Sequence, residues 1–320
     1  MILIAGGLGF IGSHITRALL DLGETCLVVR RSTAATPAAF ADEAGRRLIV
    51  EQVDVADRSA FLEIGNRHRI TGIVNLVGVF GFSALEPVDD ARLAMRTLFN
   101  VLEAARDWEV PRVGIASTIG VYIGALTEGP LREDARLPMT TGHGIPAFKK
   151  IGELLADHLA DATGLEIVNY RIAAAWGPLA HRASPFIAAT ELVHAAVAGV
   201  GPDLTALRSP AYADDGIDLV YVKDCARAIA LLQLADKLGY RTYNIASGRP
   251  TTNNEFLEAL KKVIPHTQAE LPEGRDPAGP GHDIYLDLGR IREDTGYQPA
   301  YDTERAIADY AHWLRAGNPR

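Results

Sequence analysis

The chain has 320 residues, 48% of them apolar, and 40 acidic against 32 basic side chains for a formal charge of −8. That length and apolar content suffice for one large core with a smaller lobe added, and the dispersed acidic residues build no basic face of the kind phosphate backbones require, which excludes nucleic acid as the expected partner. Cys26 and Cys225 are too few for a disulfide framework or a thiolate metal site, no apolar run reaches the roughly 18 residues of a membrane span, and Met1–Ala5 runs into glycines without a basic leader; a reducing cytoplasm, no membrane and no metal are expected.

Short apolar runs of strand length alternate with longer stretches of helical period. Strands are predicted at Met1–Ala5, Thr25–Val29, Arg47–Val50, Gly72–Val77, Val113–Ala116 and Glu166–Tyr170, and helices at Gly12–Leu22, Ser59–His68, Asp89–Trp108 and Pro146–Thr163. About six βα units before residue 175 imply an α/β fold, a doubly wound parallel sheet of the Rossmann kind. Beyond Trp176-Gly-Pro178 the chain turns richer in Pro and Gly, with irregular segments at about 200–216 and 265–283. Residues 176–216 and 248–300 are therefore expected to form a smaller substrate lobe. Between them, Ile217–Val222 and a helix Cys225–Leu234 read as a return to the main sheet over about 217–247, and 301–320 as a terminal helix.

Gly6-Gly-Leu-Gly9-Phe-Ile-Gly12 stands where the first strand ends and the first helix begins. In that context the first glycine permits a tight turn, the second lets backbone approach a pyrophosphate, and the third lets helix pack on strand, while the helix N-terminus offers N–H donors to phosphate. Residues 1–175 are thus expected to be a dinucleotide-binding domain, with Phe10 and Ile11 inside the turn. At the end of the second strand, where an Asp or Glu would take the ribose 2′-hydroxyl of NAD, stand Arg30 and Arg31. Arginine there pairs with the 2′-phosphate of NADP, so NADP is expected in preference to NAD; the other reading makes both arginines solvated loop charges.

Further segments extend the pattern: Asp54-Val55-Ala-Asp57 after the third strand, Leu76-Val77-Gly78 after the fourth, Val222-Lys-Asp224, Leu288-Gly-Arg, Gly296-Tyr-Gln-Pro299 and Trp313 in the terminal helix. With the glycines they resemble, over nearly the whole chain, the extended short-chain dehydrogenase/reductase family, which contains nucleotide-sugar epimerases, dehydratases and dihydroflavonol-type reductases. The resemblance implies that Asp54 and Val55 meet the adenine and that Leu76, Val77 and Gly78 lie along the cofactor. It also implies dimers formed through the helices Asp89–Trp108 and Pro146–Thr163.

The resemblance further implies a reaction centre of Ser or Thr, Tyr, and a Lys four residues after the Tyr. Lysine and the oxidised nicotinamide lower the phenol pKa from about 10, so that phenolate takes a hydroxyl proton. Ala116-Ser-Thr-Ile-Gly-Val-Tyr122 is similar to the serine strand end and puts Thr118 at the catalytic position; the other reading makes Thr118 a side chain bonding local backbone at a strand end. Lys149 matches the family lysine because Glu153 follows it by four residues and Arg171 by twenty-two, which leaves Lys150 facing solvent. Four residues before Lys149, however, stands Ile145, and the chain has no Tyr-x-x-x-Lys. Isoleucine has no proton to give. Since acid–base catalysis is worth roughly 10²–10⁴-fold, its loss does not by itself abolish chemistry; Tyr122 and His143 are the nearby substitutes, and His143 reads also as a solvated loop residue.

Two more departures bear on substrate. Where relatives acting on nucleotide sugars place an Asn three residues after the arginine, this chain has Ala174, and where they place an Arg before the strand Asp218–Val222 it has Ile217. Arg182 and Arg208 remain as partners for a carboxylate, and His181 with Asp214 and Asp215 read as loop residues. The expectation is an NADP-dependent oxidoreductase or epimerase-like enzyme acting on a carbonyl or alcohol of a small metabolite that is not a nucleotide sugar. The rival expectations are a non-catalytic NADP-binding sensor or partner protein, and a non-redox lyase or isomerase with structural NADP.

Overall fold

Along the first strand successive side chains face opposite cores. In β1 (Ile2–Ala5), Ile2 and Ile4 join one buried cluster and Leu3 and Ala5 another, the two-residue period of a strand covered on both sides. The structure, a computed structural model, describes residues 1–32, 37–78, 85–125 and 129–320. In chain order follow α1 (Phe10–Asp21), β2 (Cys26–Arg30), β3 (Leu48–Gln52), α2 (Arg58–Leu62), α3 (Ile64–Arg67), β4 (Gly72–Asn75), α4 (Pro87–Asp107), β5 (Arg112–Thr118), α5 (Gly144–Thr163) and β6 (Glu166–Ile172). The remainder comprises β7 (Ala174–Trp176), α6 (Ala189–Ala198), β8 (Gly216–Ile217), β9 (Leu219–Tyr221), α7 (Val222–Leu234), β10 (Thr242–Ile245), β11 (Thr251–Thr252), α8 (Asn253–Val263), α9 (Gly289–Thr295) and α10 (Thr303–Arg315).

Seven strands form one sheet in the order β10-β6-β5-β4-β1-β2-β3, with every pairing parallel. Helices α1 and α7 pack together on one face, over Ile15, Leu19, Ile229 and Leu232. Helices α2, α4 and α5 cover the other, where Phe61, Leu98, Val101, Ala156 and Ala160 are buried. The expected doubly wound sheet is therefore present, with strand order reversing between β1 and β4, the place where such sheets open a ligand crevice.

The chain beyond β6 departs from expectation in three places. The segment 217–222 does not rejoin the main sheet: β8 pairs antiparallel with β11, and β9 pairs with β7. The seventh strand is β10, which pairs with β6. A buried Asp218 explains the break, because its carboxylate accepts from Ser247 N at 2.8 Å, Gly248 N at 3.0 Å and Leu286 N at 3.2 Å, tying three loops together where a sheet residue would point at a helix. Second, the terminal helix expected over 301–320 is present as α10, but it packs with α6 and α8 around Trp176, Phe256, Leu260, Ile307 and Tyr310 and so adds to the core of the lobe. Third, Leu286, Leu288, Ile291 and Tyr297 are buried in the main core beside α7, so the 286–297 stretch sits with the sheet and not with the lobe. The single helix expected over 59–68 is two short ones, α2 and α3, meeting at Glu63.

Candidate dinucleotide and reaction site

The glycine turn is built by steric necessity. Gly6 has φ +85°, and a Cβ on Gly12 would stand 2.1 Å from Gly6 O and 2.8 Å from Gly7 Cα, so only a bare backbone lets α1 start this close to β1. At exposed Gly9 a Cβ would meet only Gly6 O, at 3.3 Å, and would otherwise project into the open mouth of the turn. No acidic side chain lies in the first turn of α1, and Gly9 caps the helix without a side-chain bond, so its first N–H groups face outward as anion donors. These features fit a dinucleotide pyrophosphate. Phe10 and Ile11, both partly buried, open the helix.

At the crevice edge Arg30 closes β2, its Nη2 lying 3.3 Å from Ser32 Oγ, and Arg31 is exposed beside it. Asp54 turns its own loop, accepting from Ala56 N at 2.9 Å, while buried Asn100 on α4 donates to Val55 O at 2.7 Å and fixes that loop from behind. Leu76, Val77 and Gly78 leave β4 half-buried, with Val77 N donating to Asn75 Oδ1 at 3.1 Å. Asn100 carried no sequence signal; its role appears only once α4 crosses the loop.

Lys149 and Thr118 lie on neighbouring elements at the same strand end. Lys149 Nζ donates to Ala116 O at 2.6 Å, and burial lowers its pKa to about 8 against the opposing charge of Glu153. Thr118 Oγ1 accepts from Gly120 N at 3.1 Å and so caps the short 3₁₀ turn Ile119–Tyr122. Ile145 stands one helical turn before Lys149, in the first turn of α5. Lys150 is partly buried, and its ammonium is held by the carbonyls of Pro138 and of Thr140, the latter at 2.6 Å, which pins the loop before α5.

Tyr122 is enclosed in a buried network that the sequence did not reveal. Its hydroxyl donates to Asn244 Oδ1 at 2.9 Å and accepts from Arg171 Nη1 at 2.8 Å, and burial pushes its pKa up to about 12. A phenol so engaged and so weakly acidic is a structural strut, which corrects its reading as a substitute proton donor. Arg171 in turn holds Glu153, Ser117 Oγ donates to Glu153, and Asn244 N donates to Glu133 Oε1 at 2.9 Å. His143 precedes α5 in extended backbone, its ring stacked on Phe186 at 5.2 Å; burial and the nearby Arg208 charge lower its pKa. Arg208 lies over the other partner of that stack, 5.2 Å from the Phe186 centroid. Thus His143 is partly buried against Phe186, and Arg208 has an aromatic partner. Arg182 and His181 are exposed. Asp215 accepts from Asp276 N, and Asp214 N donates to Gly274 O at 2.9 Å, so these residues join the two irregular segments of the lobe to each other. Ala174 N donates to Asp218 O at 3.0 Å, and Ile217 pairs with Thr251.

A doubly wound sheet, a glycine cradle at its switch point, and Thr118 with Lys149 at the adjacent strand end define an extended short-chain dehydrogenase/reductase. The chain belongs to the NAD dependent epimerase/dehydratase family, whose family model matches residues 2–246. It is 28% identical to a UDP-glucose 4-epimerase of Azospirillum brasilense, over 98% of this chain and 92% of that protein. Among solved structures it is similar to a UDP-N-acetylglucosamine 4-epimerase from Methanobrevibacter ruminantium M1 in complex with UDP-N-acetylmuramic acid, with a TM-score of 0.82, 21% identity, and 99% and 98% of the two chains covered. The UDP-glucose 4-epimerase of Bifidobacterium longum in complex with NAD+ and UDP has a TM-score of 0.76 at 21% identity, with 98% of each chain covered. No described helix is long and apolar enough to cross a membrane.

Proposed function

We propose that the chain is an NADP-dependent oxidoreductase or epimerase-like enzyme acting on a carbonyl or alcohol of a small metabolite other than a nucleotide sugar. The observation that carries this reading is the pairing of an open glycine cradle with Lys149, bonded to Ala116 O beside Thr118. When bound, the dinucleotide supplies reversible hydride exchange at a substrate carbon. The turn Gly6, Gly9, Gly12 with Phe10 and Ile11 would hold the pyrophosphate, Arg30 and Arg31 the 2′-phosphate, Asp54 and Val55 the adenine, and Leu76, Val77, Gly78 and Lys149 the nicotinamide half.

Thr118 Oγ1 spends a lone pair on Gly120 N, so its hydroxyl proton is the part that meets a substrate oxygen. With Ile145 where a phenol would stand, proton exchange falls to His143, to water or to the substrate itself. Ala174 and Ile217 offer a diphosphate no side-chain donor, which supports the exclusion of nucleotide sugars although the relatives named above are UDP-sugar epimerases. Phe99 on α4 and Ile151 and Leu154 on α5 are 46%, 44% and 73% exposed, apolar surface that supports a homodimer through these helices. Two buried free thiols, Cys26 and Cys225, suit a cytoplasmic location. Ile145 favours a second reading, in which the protein keeps NADP as a sensor or as the structural cofactor of a lyase or isomerase.

Fluorescence titration with NADP(H) and NAD(H) tests the cofactor: at least tenfold preference for NADP(H), abolished in Arg30→Asp, is the expected result, and equal affinity overturns it. Turnover of NADPH with a panel of ketones and aldehydes tests the reaction, with Ile145→Tyr restoring a phenol one turn before Lys149. Tight NADP binding without turnover in either protein moves the assignment to the second reading. Calorimetric detection of micromolar UDP binding would overturn the exclusion of nucleotide sugars.

A further inference from the structure

Where arginines of this chain meet acid, they grip it: Arg47 holds Glu43, Arg58 holds Glu103, Arg67 holds Glu51 and Arg171 holds Glu153. Arg208 differs. In a chain with 40 acidic side chains it takes no carboxylate, and its guanidinium makes no hydrogen bond or ion pair among the described residues. Its contact is aromatic: Cζ lies 5.2 Å from the centroid of the Phe186 ring, and the His143 ring stacks on the same phenyl group, also at 5.2 Å, with 23° between the planes. The three side chains come from separate segments, and each segment is braced. Ser184 Oγ accepts from Phe186 N at 3.2 Å and from Ile187 N at 3.3 Å, Arg208 N donates to Pro185 O at 3.0 Å, and His143 N donates to Thr141 O at 2.6 Å. A guanidinium presented from braced backbone loses less freedom when a ligand meets it.

The stack stands beside the reaction site. His143 is the N-cap of α5, two residues before Ile145, and a Cβ on Gly120 would stand 3.1 Å from Pro146 Cγ, so the start of α5 lies against the turn that Thr118 caps. Burial lowers the pKa of His143 and the Arg208 charge lowers it further, so that charge reaches the edge of the site. A guanidinium fork offers paired N–H donors that match the two oxygens of a carboxylate, and over an aromatic ring it keeps in-plane donors for such a partner. We propose that Arg208, set in place by Phe186 and His143, is the specificity-determining residue that takes a carboxylate of the substrate, so that the carbonyl or alcohol compound handled at Thr118 is a small oxo or hydroxy acid. The inference deepens the enzymatic reading above and rests on it. Ala174 and Ile217 give a diphosphate no donor, whereas a single fork suffices for a single carboxylate.

Binding is measured with saturating dinucleotide, NADP+ or NAD+ according to which binds more tightly, so the outcome depends neither on turnover nor on cofactor preference. The probes are benzoylformate, an aromatic 2-oxo acid, and its methyl ester, which keeps the carbonyl and lacks the charge; inorganic phosphate is the competing anion. The ring resonances of His143, assigned by their loss in His143→Gln, report occupancy. Benzoylformate should shift them and bind at least about threefold more tightly than the ester, the scale of an ion pair open to solvent. Arg208→Leu, a change at an exposed position, should bring the acid to the level of the ester, and Arg208→Lys should keep part of the difference. Arg182→Leu, which removes another exposed charge of the lobe, should leave the preference in place. Equal binding of acid and ester by wild type overturns the proposal, as does a preference that survives Arg208→Leu or falls equally in Arg182→Leu. Phosphate binding as tightly as benzoylformate overturns it too, because Arg208 would then hold any anion. Turnover of neutral ketones without a preference for the acid removes this inference and leaves the enzymatic reading standing, whereas absence of turnover bears on that reading and leaves the measured preference intact.

Discussion

Arg171 on β6 grips Glu153 on α5, its Nε 3.1 Å from both carboxylate oxygens and its Nη2 2.7 Å from Oε2, with both side chains less than a tenth exposed. Removing one partner leaves the other as a buried uncompensated charge, a change that costs about 3–5 kcal/mol. Arg171→Met and Glu153→Leu should each lower the unfolding free energy, read from denaturant titration, by that amount. The double variant should recover much of the loss, because two apolar side chains strand no charge. A double-variant cost equal to the sum of the single ones would show that the two residues act independently.

The glycine turn predicts two different failures. Gly12→Ala sets a Cβ against Gly6 O and should cost both stability, by roughly 1–3 kcal/mol, and dinucleotide affinity. Gly9→Ala meets only one atom, at 3.3 Å. It should leave the thermal midpoint within about 2 °C of wild type, a shift corresponding to about 1 kcal/mol for a chain of this length, while weakening NADP binding at least tenfold, because the methyl group occupies the pyrophosphate's approach. Parallel melts and fluorescence titrations separate the two effects.

Lys149 makes stability depend on pH in a window set by its lowered pKa. Below about pH 8 the ammonium is charged in the folded and unfolded chains alike, and the fold bears the cost of burying it. Between about 8 and the usual lysine value of 10.5 the folded protein has released the proton while the unfolded chain still holds it, so wild-type stability gains as pH rises. Lys149→Met lacks this term. It should be more stable than wild type at pH 7, by up to ~3 kcal/mol, and the advantage should shrink as pH climbs from 8 to 10.5. Guanidinium unfolding of both proteins across that range measures it; a constant difference would show that the ammonium is solvated.

Assembly is tested on the outer face of α4 and α5. Phe99→Glu with Leu154→Glu places two carboxylates on surface that is 46% and 73% exposed in the single chain, so the monomer fold should be unaffected. Sedimentation should show a dimer for wild type and a monomer for the double variant. A wild-type monomer at tens of micromolar would remove the dimer proposal.

The strands β1 to β6 were legible because each is a run of apolar residues flanked by turn signals, and the glycine cradle because its spacing and its place after a strand coincide. β10 was harder. Thr242 and Asn244 interrupt its apolar pattern, and Asn244 earns its buried place through Tyr122, Leu131 and Asp287, residues distant in sequence. The segment 217–222 misled for the opposite reason: it is apolar enough for a core strand, yet Asp218 serves as the acceptor for two other loops, at Ser247–Gly248 and at Leu286. Asp224 shows the same limit, since its bonds to Ala300 N and Tyr301 N connect α7 to the approach of α10 across some seventy residues. Offsets to Glu153 on the same helix and to Arg171 on the following strand identified Lys149, but the enclosure of Tyr122 depends on which side chains meet across β5, β6 and α5. No local pattern encodes those meetings.

The late arrival of β10 bears on how this protein may be cut. A fragment ending at residue 175 would retain the glycine turn, Arg30, Thr118 and Lys149, everything that marks the chain as a dinucleotide binder. It would also strip β6 of the neighbour that pairs with Asn169–Ile172, and strip α1 of α7, with which it packs. The result is a sheet with a bare hydrogen-bonding edge and an uncovered apolar face, a template for strand-to-strand aggregation. Insolubility of such a fragment would therefore report the missing edge strand and say nothing about whether the lobe takes part in binding. A minimal soluble domain has to reach past Ile245, and a designed β10 mimic fused after residue 175 without α7 would still leave the α1 face open.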